Sequence, residues 1–449
     1  MLPILWNIAS FVLALSILVA VHEWGHYYVA KLCKVKILKF SIGFGKPLYK
    51  KTTSSGMEFI IAGIPMGGYV RMLDGRVDQV STQDLDVAFD QKPVGQRMAI
   101  VAAGPIVNFI FAVFALMAVG MIGSETSKTI VGEVYSNSIA SQSELTVGDE
   151  ILKVGNREVG DWQEVSIEMV SFSGDTTMPI TVKSPNGVTI EKQLDLNGWK
   201  LNPDSTDLFA DLGFSPFSPE LTTTLGLVDS EAPAGLAGFQ VNDEILKIDG
   251  TPMSNWGQIV EYLEPRPNQN LIVEVMREGQ VLEVPVQLGK NPQDENKGYL
   301  GVSPFREAWP QEYIVETKLG PIEAFTNGVE STWRLMTVTL EMLGKLVTGD
   351  LSVKSLSGPI SIAQGAGANA SYGLVPFLGF LAIISVNLGI INLLPLPILD
   401  GGHLFYFTIE WITGKPVSEA VQDIGFKVGG VILFAVMATA IFNDIVRHT

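Results

Sequence analysis

The chain has 449 residues, a formal net charge of −17, a hydrophobic content of 47% and one cysteine, Cys33. The hydrophobic content excludes a disordered acidic chain, and the net negative charge argues against a nucleic-acid-binding protein. The single cysteine excludes an intrachain disulfide framework and a multi-cysteine zinc site, while a mean hydropathy of +0.29 indicates much apolar surface in a chain long enough for about three domains.

The charge is distributed unevenly along the chain. Residues 31–97 carry a net charge of +5 and residues 123–373 carry −19, whereas residues 98–122 and 374–395 contain no charged side chain. The acidity therefore belongs to one long segment, which lies between apolar stretches long enough to cross a bilayer.

Four transmembrane helices are predicted. The first covers residues 1–32, with its apolar core at 4–21, and the others cover 98–122, 374–395 and 426–444. Any one of them could instead be a buried core helix. The first stretch lacks the basic n-region and the small-residue cleavage site of a secretory signal, so we expect it to be retained.

A metal-binding pattern lies in the first predicted helix. His22-Glu23-Trp24-Gly25-His26 fits H-E-x-x-H. Histidines four residues apart share one face of a helix and can bind one zinc ion, with Glu23 beside the metal as a general base. Ionisable residues in a membrane helix are costly and usually functional, which favours this interpretation over idle polar residues.

Residues 33–97 are predicted to form a cytoplasmic loop, because cytoplasmic loops carry an excess of Lys and Arg. The lysines near the first helix are Lys31, Lys34, Lys36, Lys39, Lys46, Lys50 and Lys51. Both termini and residues 123–373 would then be outside, which is the periplasm in a bacterial cell. Residues 396–425 would be cytoplasmic.

The loop also contains β-prone sequence. Glu58–Met72, with Pro65 and several glycines, has the pattern of an edge strand, and Ser41–Pro47 is a second hairpin-like piece. A plain surface hairpin is the alternative interpretation.

The acidic segment contains an internal repeat. Residues 148–155 match 242–249, a Trp follows each copy (Trp162 and Trp256), and the copies close with Leu-Gly-x-Ser-Pro-Phe at 212–217 and 300–305. Such self-similarity predicts a duplicated β-rich module of about 90 residues, placed at 126–220 and 221–306.

Both copies resemble PDZ domains, which bind peptides by strand addition. Asn242 replaces the usual Gly and Gly155-Asn156 inverts the usual Asn-Gly, so peptide binding stays open for either copy. The alternative is a pair that only gates or spaces access to the membrane part.

Residues 307–373 are predicted to form an amphipathic helix and a connector to the third membrane helix. Within 320–349 the apolar residues recur at a spacing of three to four; they are Phe325, Val329, Trp333, Met336, Leu340 and Leu343. We expect this helix to lie on the membrane surface.

A second polar cluster follows the third membrane helix. Pro395 and Pro397 break the helix, and non-helical backbone at membrane depth is tolerated only in protein or beside a wet cavity. Asp400 follows this break and is expected on the same, cytoplasmic side of the membrane as His22 and His26. It could complete a His₂Asp site, or it could be an ordinary turn residue. His403 is interpreted as a surface residue at a helix start, and the penultimate His448 is discounted.

Together, His22-Glu23-x-x-His26 and Asn392-x-x-Pro395-x-Pro397-x-x-Asp400-Gly401 resemble the site-2 protease family of intramembrane zinc metalloproteases. Four membrane helices with two PDZ-like modules between the second and third resemble its bacterial members. The expected fold class is a polytopic α-helical membrane protein with a membrane-associated β-region and two tandem PDZ-like domains.

The resemblance implies a membrane-embedded protease of the Gram-negative inner membrane with one Zn²⁺. Its implied substrates are single-pass membrane proteins cut inside the transmembrane segment: an anti-sigma-E-like factor already shortened outside, whose cleavage starts the envelope stress response, and signal-peptide remnants. The PDZ pair would exclude bulky outer domains. Membrane lipid is the other expected partner, no nucleic acid is expected, and the oligomeric state stays open.

The resemblance also implies roles for individual residues. His22, His26 and Asp400 would be the metal ligands and Glu23 the catalytic base. Asn392 would contact the substrate backbone or the developing oxyanion with help from Asn387, for which hydrogen bonding between helices is the alternative.

A transmembrane substrate must be unwound, and its exposed backbone groups need partners. We therefore expect Ile60–Tyr69 to pair with the substrate as an edge strand, with Ile61, Gly67, Gly68 and Tyr69 as contacts. Three alternatives are a PDZ scaffold without activity, a transporter with a broken helix, and a soluble metallopeptidase. The intact motif disfavours the inactive scaffold, and the lack of an inverted repeat disfavours the transporter. The charge distribution disfavours the soluble metallopeptidase.

Overall fold

The computed structural model describes residues 2–54, 56–201, 205, 207–292 and 294–448. The α-helices of this part are α1 (Leu2–Leu32), α2 (Val94–Ile122), α3 (Ile139–Gln142), α4 (Trp162–Ser171), α5 (Leu208–Leu212), α6 (Pro233–Ala237), α7 (Trp256–Leu263), α8 (Pro321–Thr348), α9 (Pro359–Ser371), α10 (Leu374–Leu393), α11 (Asp400–Thr413) and α12 (Glu419–His448).

The strands of the same part are β1 (Ile37–Thr52), β2 (Glu58–Met72), β3 (Ser124–Ser127), β4 (Val131–Val134), β5 (Glu150–Val154), β6 (Arg157–Glu158), β7 (Thr177–Lys183), β8 (Thr189–Asp195), β9 (Phe214–Pro216), β10 (Leu221–Val228), β11 (Glu244–Ile248), β12 (Thr251–Pro252), β13 (Asn270–Arg277), β14 (Gln280–Gln287), β15 (Gly289–Lys290), β16 (Gly298–Tyr299), β17 (Val302–Arg306) and β18 (Ile314–Thr317). The chain divides into two compact units, Met1–Ser215 with Val315–Thr449, and Pro216–Ile314.

Among the described residues, four helices are long and apolar enough to cross a membrane: α1, α2, α10 and α12. The predicted fold class is confirmed. Three of these helices differ in extent from the prediction. The second begins at Val94 rather than 98. The third helix ends at Leu393 rather than 395, because the chain turns out of the helix before Pro395. The fourth is longer than 426–444 and spans Glu419–His448, since polar turns extend its apolar core.

Glycines bring the first three membrane helices close together. A Cβ at Gly25, inside the H-E-x-x-H motif, would lie 2.5 Å from the carbonyl oxygen of Ala103 on α2. A Cβ at Gly389 of α10 would lie 2.6 Å from the Phe109 ring of the same helix α2. Any larger residue at these positions would push the helices apart, so α2 is held between α1 and α10.

The predicted amphipathic helix is present as α8, but it packs along two membrane helices. A Cβ at Gly328 would lie 2.6 Å from the carbonyl oxygen of Val113 on α2, and Thr339 Oγ1 donates to Asn387 Oδ1 of α10 at 2.9 Å. The small Gly328 permits this close approach. Part of the predicted apolar stripe stays exposed, including Trp333.

The loop after α1 forms a hairpin of β1 and β2, and β2 has the bounds predicted for the edge strand. The hairpin is folded back on itself. Ser41 pairs with both Ile60 and Tyr69, and Ile42 pairs with both Ile61 and Gly68. Ile61 also pairs with Tyr49 on its other side.

This register corrects the expected edge of Ile60–Tyr69. Residues 60 and 61 have neighbours on both sides, so they offer no open edge. In the part of the chain that the structure describes, residues 68–72 have β partners on one side only, in β1. The open edge is therefore Gly68–Met72.

The first repeat copy lies in the first unit as a four-stranded sheet in the order β6-β5-β7-β8, with β4 paired to β9. Its apolar core includes Ile151, Met169 and Phe214, all fully buried. The repeat's Asp149 is buried, where its carboxylate accepts hydrogen bonds from Thr146 N and Lys192 Nζ. These bonds explain why an Asp is needed in the repeat.

The first copy is fastened to α8 by ion pairs. Glu168 on α4 is 3% exposed and lies between two arginines, with Arg334 Nε at 2.5 Å and Arg157 NH1 at 3.3 Å. Lys345 of α8 also pairs with Asp175 at 3.0 Å.

The second copy forms the second unit, with strand order β14-β13-β11-β10-β17 and β12 paired to β11. Its buried Asp243 accepts hydrogen bonds from Gln240 N and from Arg277, so the two copies use the repeated Asp alike. The unit boundaries at 215/216 and 314/315 lie five residues before and eight residues after the limits predicted from the repeat.

Candidate metal centre

Two helices bring three potential metal ligands together. His22 and His26 lie one turn apart on α1, and Asp400 is the first residue of α11. The two imidazole Nε2 atoms are 3.2 Å apart, and Asp400 Oδ2 lies 3.2 Å from Nε2 of His22 and 3.4 Å from Nε2 of His26. The structure thus gathers the three residues that the sequence singled out as ligands.

Hydrogen bonds on the far side of each imidazole orient the rings. His26 Nδ1 lies 2.9 Å from the carbonyl oxygen of Ile100, which can only accept, so Nδ1 carries the proton and Nε2 keeps its lone pair. His22 Nδ1 lies 3.1 Å from the side-chain amide of Asn108.

Asn108 is fully buried, and its Oδ1 has no hydrogen-bond partner among the described residues. When the amide is rotated by half a turn, Oδ1 accepts a hydrogen bond from Nδ1–H of His22. The lone pair on Nε2 of His22 is then free. Both histidines then present the same atom, Nε2, to one point.

The geometry of the three residues fits zinc. Tetrahedral bonds of about 2.0–2.1 Å put neighbouring ligand atoms about 3.3 Å apart, close to the three observed separations. Asp400 Oδ2 is buried and receives no hydrogen bond of good geometry from the residues that the structure describes. Gly104 makes room at the site, because a Cβ there would overlap Nε2 of His26. Three acceptor atoms that converge without a proton donor need a cation between them.

The charge state of Asp400 also suits a ligand. Burial alone would raise the pKa of the Asp400 carboxyl, but hydrogen bonds from the two imidazoles, with their protons on Nε2, hold that pKa below its usual range. When both Nε2 atoms present lone pairs instead, a cation between the three side chains would keep the carboxylate ionised.

Glu23 lies between the histidines and the open edge of β2. Its side chain is buried, and its carboxylate accepts a hydrogen bond from the backbone N–H of Val70. A Cβ at Gly68 would lie 2.9 Å from Glu23 Cγ and 2.8 Å from Val19 Cγ1. A glycine at position 68 thus allows the strand edge to contact α1 beside Glu23.

A cavity of about 480 Å³ contains these groups. One wall is the strand edge 68–72, and charged side chains of Arg71, Asp74 and Arg76 stand beside it. The cavity is large enough for a segment of extended chain next to Glu23.

Among the predicted substrate contacts, Gly68 and Tyr69 line this cavity, whereas Ile61, Gly67, Asn387 and Asn392 are not among its described lining residues. Asn387 accepts the hydrogen bond from Thr339 of α8, which agrees with the alternative of bonding between helices. Asn392 is half-buried in the last turn of α10, without a side-chain hydrogen bond in the part of the chain described.

His403 differs from the prediction. It is at the start of a helix, but it is half-buried and lines the cavity, with its ring centroid 5.6 Å from that of Phe426. α12 covers this position, which the sequence could not indicate. Burial lowers the pKa of the His403 imidazole.

Sequence reasoning missed the contribution of α2. The carbonyl of Ile100, the space at Gly104 and the amide of Asn108 all act on the histidines. One signal was available, because Asn108 is the only polar side chain in residues 98–122.

Comparison with known proteins agrees with this geometry. The model of Peptidase family M50 matches residues 10–436. A putative zinc metalloprotease of Vibrio cholerae is 46% identical over 451 residues, and the regulator of sigma-E protease RseP of Escherichia coli K12 is 44% identical over 450 residues; each match covers 100% of both chains. Among solved structures, a PDZ domain of an SdrC-like protein from Listeria monocytogenes matches 20% of this chain and 90% of its own, at 12% identity and a TM-score of 0.17.

Proposed function

Since the chain belongs to peptidase family M50 and is a zinc metallopeptidase of the membrane, we propose that it hydrolyses peptide bonds inside the transmembrane segments of single-pass membrane proteins. The family and the enzyme class predicted from the sequence are confirmed. The observation that carries the proposal is the place of the metal centre: its two histidines lie on α1, within a predicted membrane span, beside an open strand edge.

His22, His26 and Asp400 are the proposed ligands of one zinc ion. When bound, zinc supplies Lewis-acid polarisation of the scissile carbonyl and makes water more acidic. The three side chains leave one side open toward the cavity, where the substrate and water have access. The buried Ile100 carbonyl and Asn108 amide contact Nδ1 of the two histidines and would hold both rings in the orientation that metal binding needs.

Glu23 is the proposed general base. Its carboxylate takes the proton from the attacking water and then gives that proton to the leaving amide nitrogen. The backbone N–H of Val70 faces this carboxylate and would help to orient it.

Gly68–Met72 is the proposed partner of the unwound substrate. A transmembrane helix must lose its i to i−4 hydrogen bonds before hydrolysis, and a strand edge supplies replacements. Leu73 N donates to Lys36 O, toward β1, at 2.8 Å. By the alternation along a strand, the N–H groups of Val70 and Met72 point the other way, toward the site. Asn392 is proposed as a further contact to the substrate.

The chain is an inner-membrane protein, and we propose its orientation from the charge pattern. The lysine-rich hairpin and the α11 segment would face the cytoplasm, and both repeat copies would face the periplasm. The metal centre would then lie toward the cytoplasmic side of the bilayer.

The names of the relatives support a substrate class. The regulators of sigma-E protease are similar over their full length, so we propose an anti-sigma factor, shortened outside by another protease, as a substrate, with signal-peptide remnants as a second kind. The PDZ-like pair would exclude substrates with bulky outer domains. The ion pairs between the first copy and α8 support this, because they hold that copy against the membrane helices.

The test is cleavage of a model single-pass substrate in liposomes, with and without a folded outer domain, by wild type and by Glu23→Gln. We expect wild type to cut only the shortened form, within its apolar segment, as located by mass spectrometry. Cleavage outside the apolar segment, or equal cleavage by Glu23→Gln, would refute the proposal. Equal cleavage of both substrate forms would refute the size filter but not the proposed intramembrane cleavage.

A further inference from the structure

One face of α2 contacts both histidines and the helix that carries Asp400. Arg97, Ile100, Gly104 and Asn108 recur at a spacing of three to four residues and therefore share one side of the helix. The last three contact the histidines directly. Arg97 is at the end of the same stripe, and its partner is on the helix of the third ligand.

Arg97 is bound on all sides of its guanidinium group. Nε donates to Lys92 O at 3.0 Å, while NH2 and NH1 donate to the two carboxylate oxygens of Glu410 at 2.6 and 3.1 Å. The guanidinium also lies 4.9 Å from the ring centroid of Phe407. The side chains of Arg97 and Glu410 are only 11% and 18% exposed, so this is a bidentate and largely desolvated ion pair.

Glu410 and Phe407 belong to α11, the helix that begins with Asp400. Asp400 follows the non-helical segment of Pro395 and Pro397, so the membrane helix α10 does not continue into α11. Close packing of Gly401 against the end of α10 fixes one end of α11. The ion pair fixes the other end, about 15 Å further along the helix.

We infer that Arg97 and Glu410 are positioning residues, whose ion pair sets the tilt and rotation of α11 so that Asp400 meets His22 and His26. This inference rests on the proposed ligand set. The same face of α2 thus acts on all three ligands. It contacts both histidines directly, and it acts on Asp400 through the pair of Arg97 with Glu410. A bidentate pair suits this task because it restricts direction as well as distance, which a single point charge such as lysine does not.

The test measures zinc affinity rather than activity. The full-length protein in detergent is stripped of zinc and titrated with Zn²⁺ against a chelating indicator. Arg97→Lys, which keeps the charge but loses the two-pronged geometry, and Glu410→Gln should each bind zinc about tenfold more weakly, the low end of the effect of removing a direct partner of a ligand. The exchange Arg97→Glu with Glu410→Arg should recover most of the affinity.

A spectroscopic readout separates positioning from general stability. Co²⁺ in place of zinc should give an altered visible spectrum in Arg97→Lys, because the carboxylate is displaced, and a spectrum close to wild type in the exchanged pair. Arg277→Met is the matched control: it breaks another bidentate arginine pair, with Asp243 in the second unit, and should leave zinc affinity and the Co²⁺ spectrum unchanged.

Asp400→Ala distinguishes failure of the inference from failure of the ligand set. Zinc affinities within about twofold of wild type for Arg97→Lys and Glu410→Gln, together with a large loss for Asp400→Ala, would overturn the positioning role alone. An unchanged affinity in Asp400→Ala would overturn the ligand set. If Glu410→Gln does not fold, Arg97→Lys and the exchanged pair decide the question.

Discussion

Nδ1 of His22 lies 3.1 Å from the side-chain amide of Asn108, a residue that is fully buried within the uncharged stretch 98–122 of α2. A buried amide in such a place is costly unless it is used. Here it fixes which nitrogen of the histidine carries the proton, and so which nitrogen is free for a metal.

Asn108→Ala should therefore weaken zinc binding by about tenfold, since the loss of a partner on the far side of a ligating histidine has this size of effect. Zinc titration of the purified protein measures it. Ser385→Ala is the matched control, because Ser385 donates to the backbone oxygen of Asn108 and not to a histidine. Equal affinities of wild type and Asn108→Ala would show that His22 needs no such support.

Glu23→Gln should keep zinc and abolish hydrolysis. The amide is nearly isosteric with the carboxylate but cannot accept the proton, and a lost general base costs about 10²–10⁴-fold in rate. Zinc content and the rate constant for cleavage of a model substrate are measured on the same sample. Activity within tenfold of wild type in a sample free of wild-type enzyme would assign the base to another residue.

The sequence predicted the local parts of the site and missed the parts that depend on packing. His22 and His26 are four residues apart, so their shared face follows from helix geometry alone. The break at Pro395 and Pro397 indicated that Asp400 leaves the third membrane helix. The contacts from Ile100, Gly104 and Asn108 could not be placed, because Asn108 marks one polar face of α2 but does not show that this face meets α1.

The open edge of β2 also depends on tertiary packing. The bounds of β2 could be predicted from its composition, but the fold-back of the hairpin could not. That fold-back gives Ser41 two partners, Ile60 and Tyr69, and moves the open edge to 68–72. Register depends on contacts with α1 through Gly68, which is a tertiary feature.

Met72→Pro should lower cleavage of a transmembrane substrate without lowering zinc affinity. Proline removes an N–H that points to the open side of the strand, a place where an edge strand tolerates proline. We expect a loss of about two- to tenfold in rate, since one hydrogen bond contributes about 0.5–1.5 kcal/mol and about 1.4 kcal/mol corresponds to a factor of ten. Met72→Ala changes the side chain but keeps the N–H, and it should cleave nearly as wild type does. Equal rates for the two variants would exclude pairing at this edge.

Arg334→Ala should relax the discrimination between long and shortened substrates. Arg334 of α8 pairs with the buried Glu168 and also with Glu164, both on α4 of the first repeat copy. Without it the copy loses much of its attachment to α8, because hydrogen bonds to charged groups contribute about 1.5–3 kcal/mol each. The ratio of cleavage rates, long over shortened substrate, should rise about tenfold or more, since about 1.4 kcal/mol corresponds to a factor of ten. Lys297→Ala breaks an exposed pair with Glu264 in the second unit and should leave the ratio unchanged. If Arg334→Ala cleaves the shortened substrate normally and still rejects the long one, the attachment of the first copy to α8 does not provide the filter.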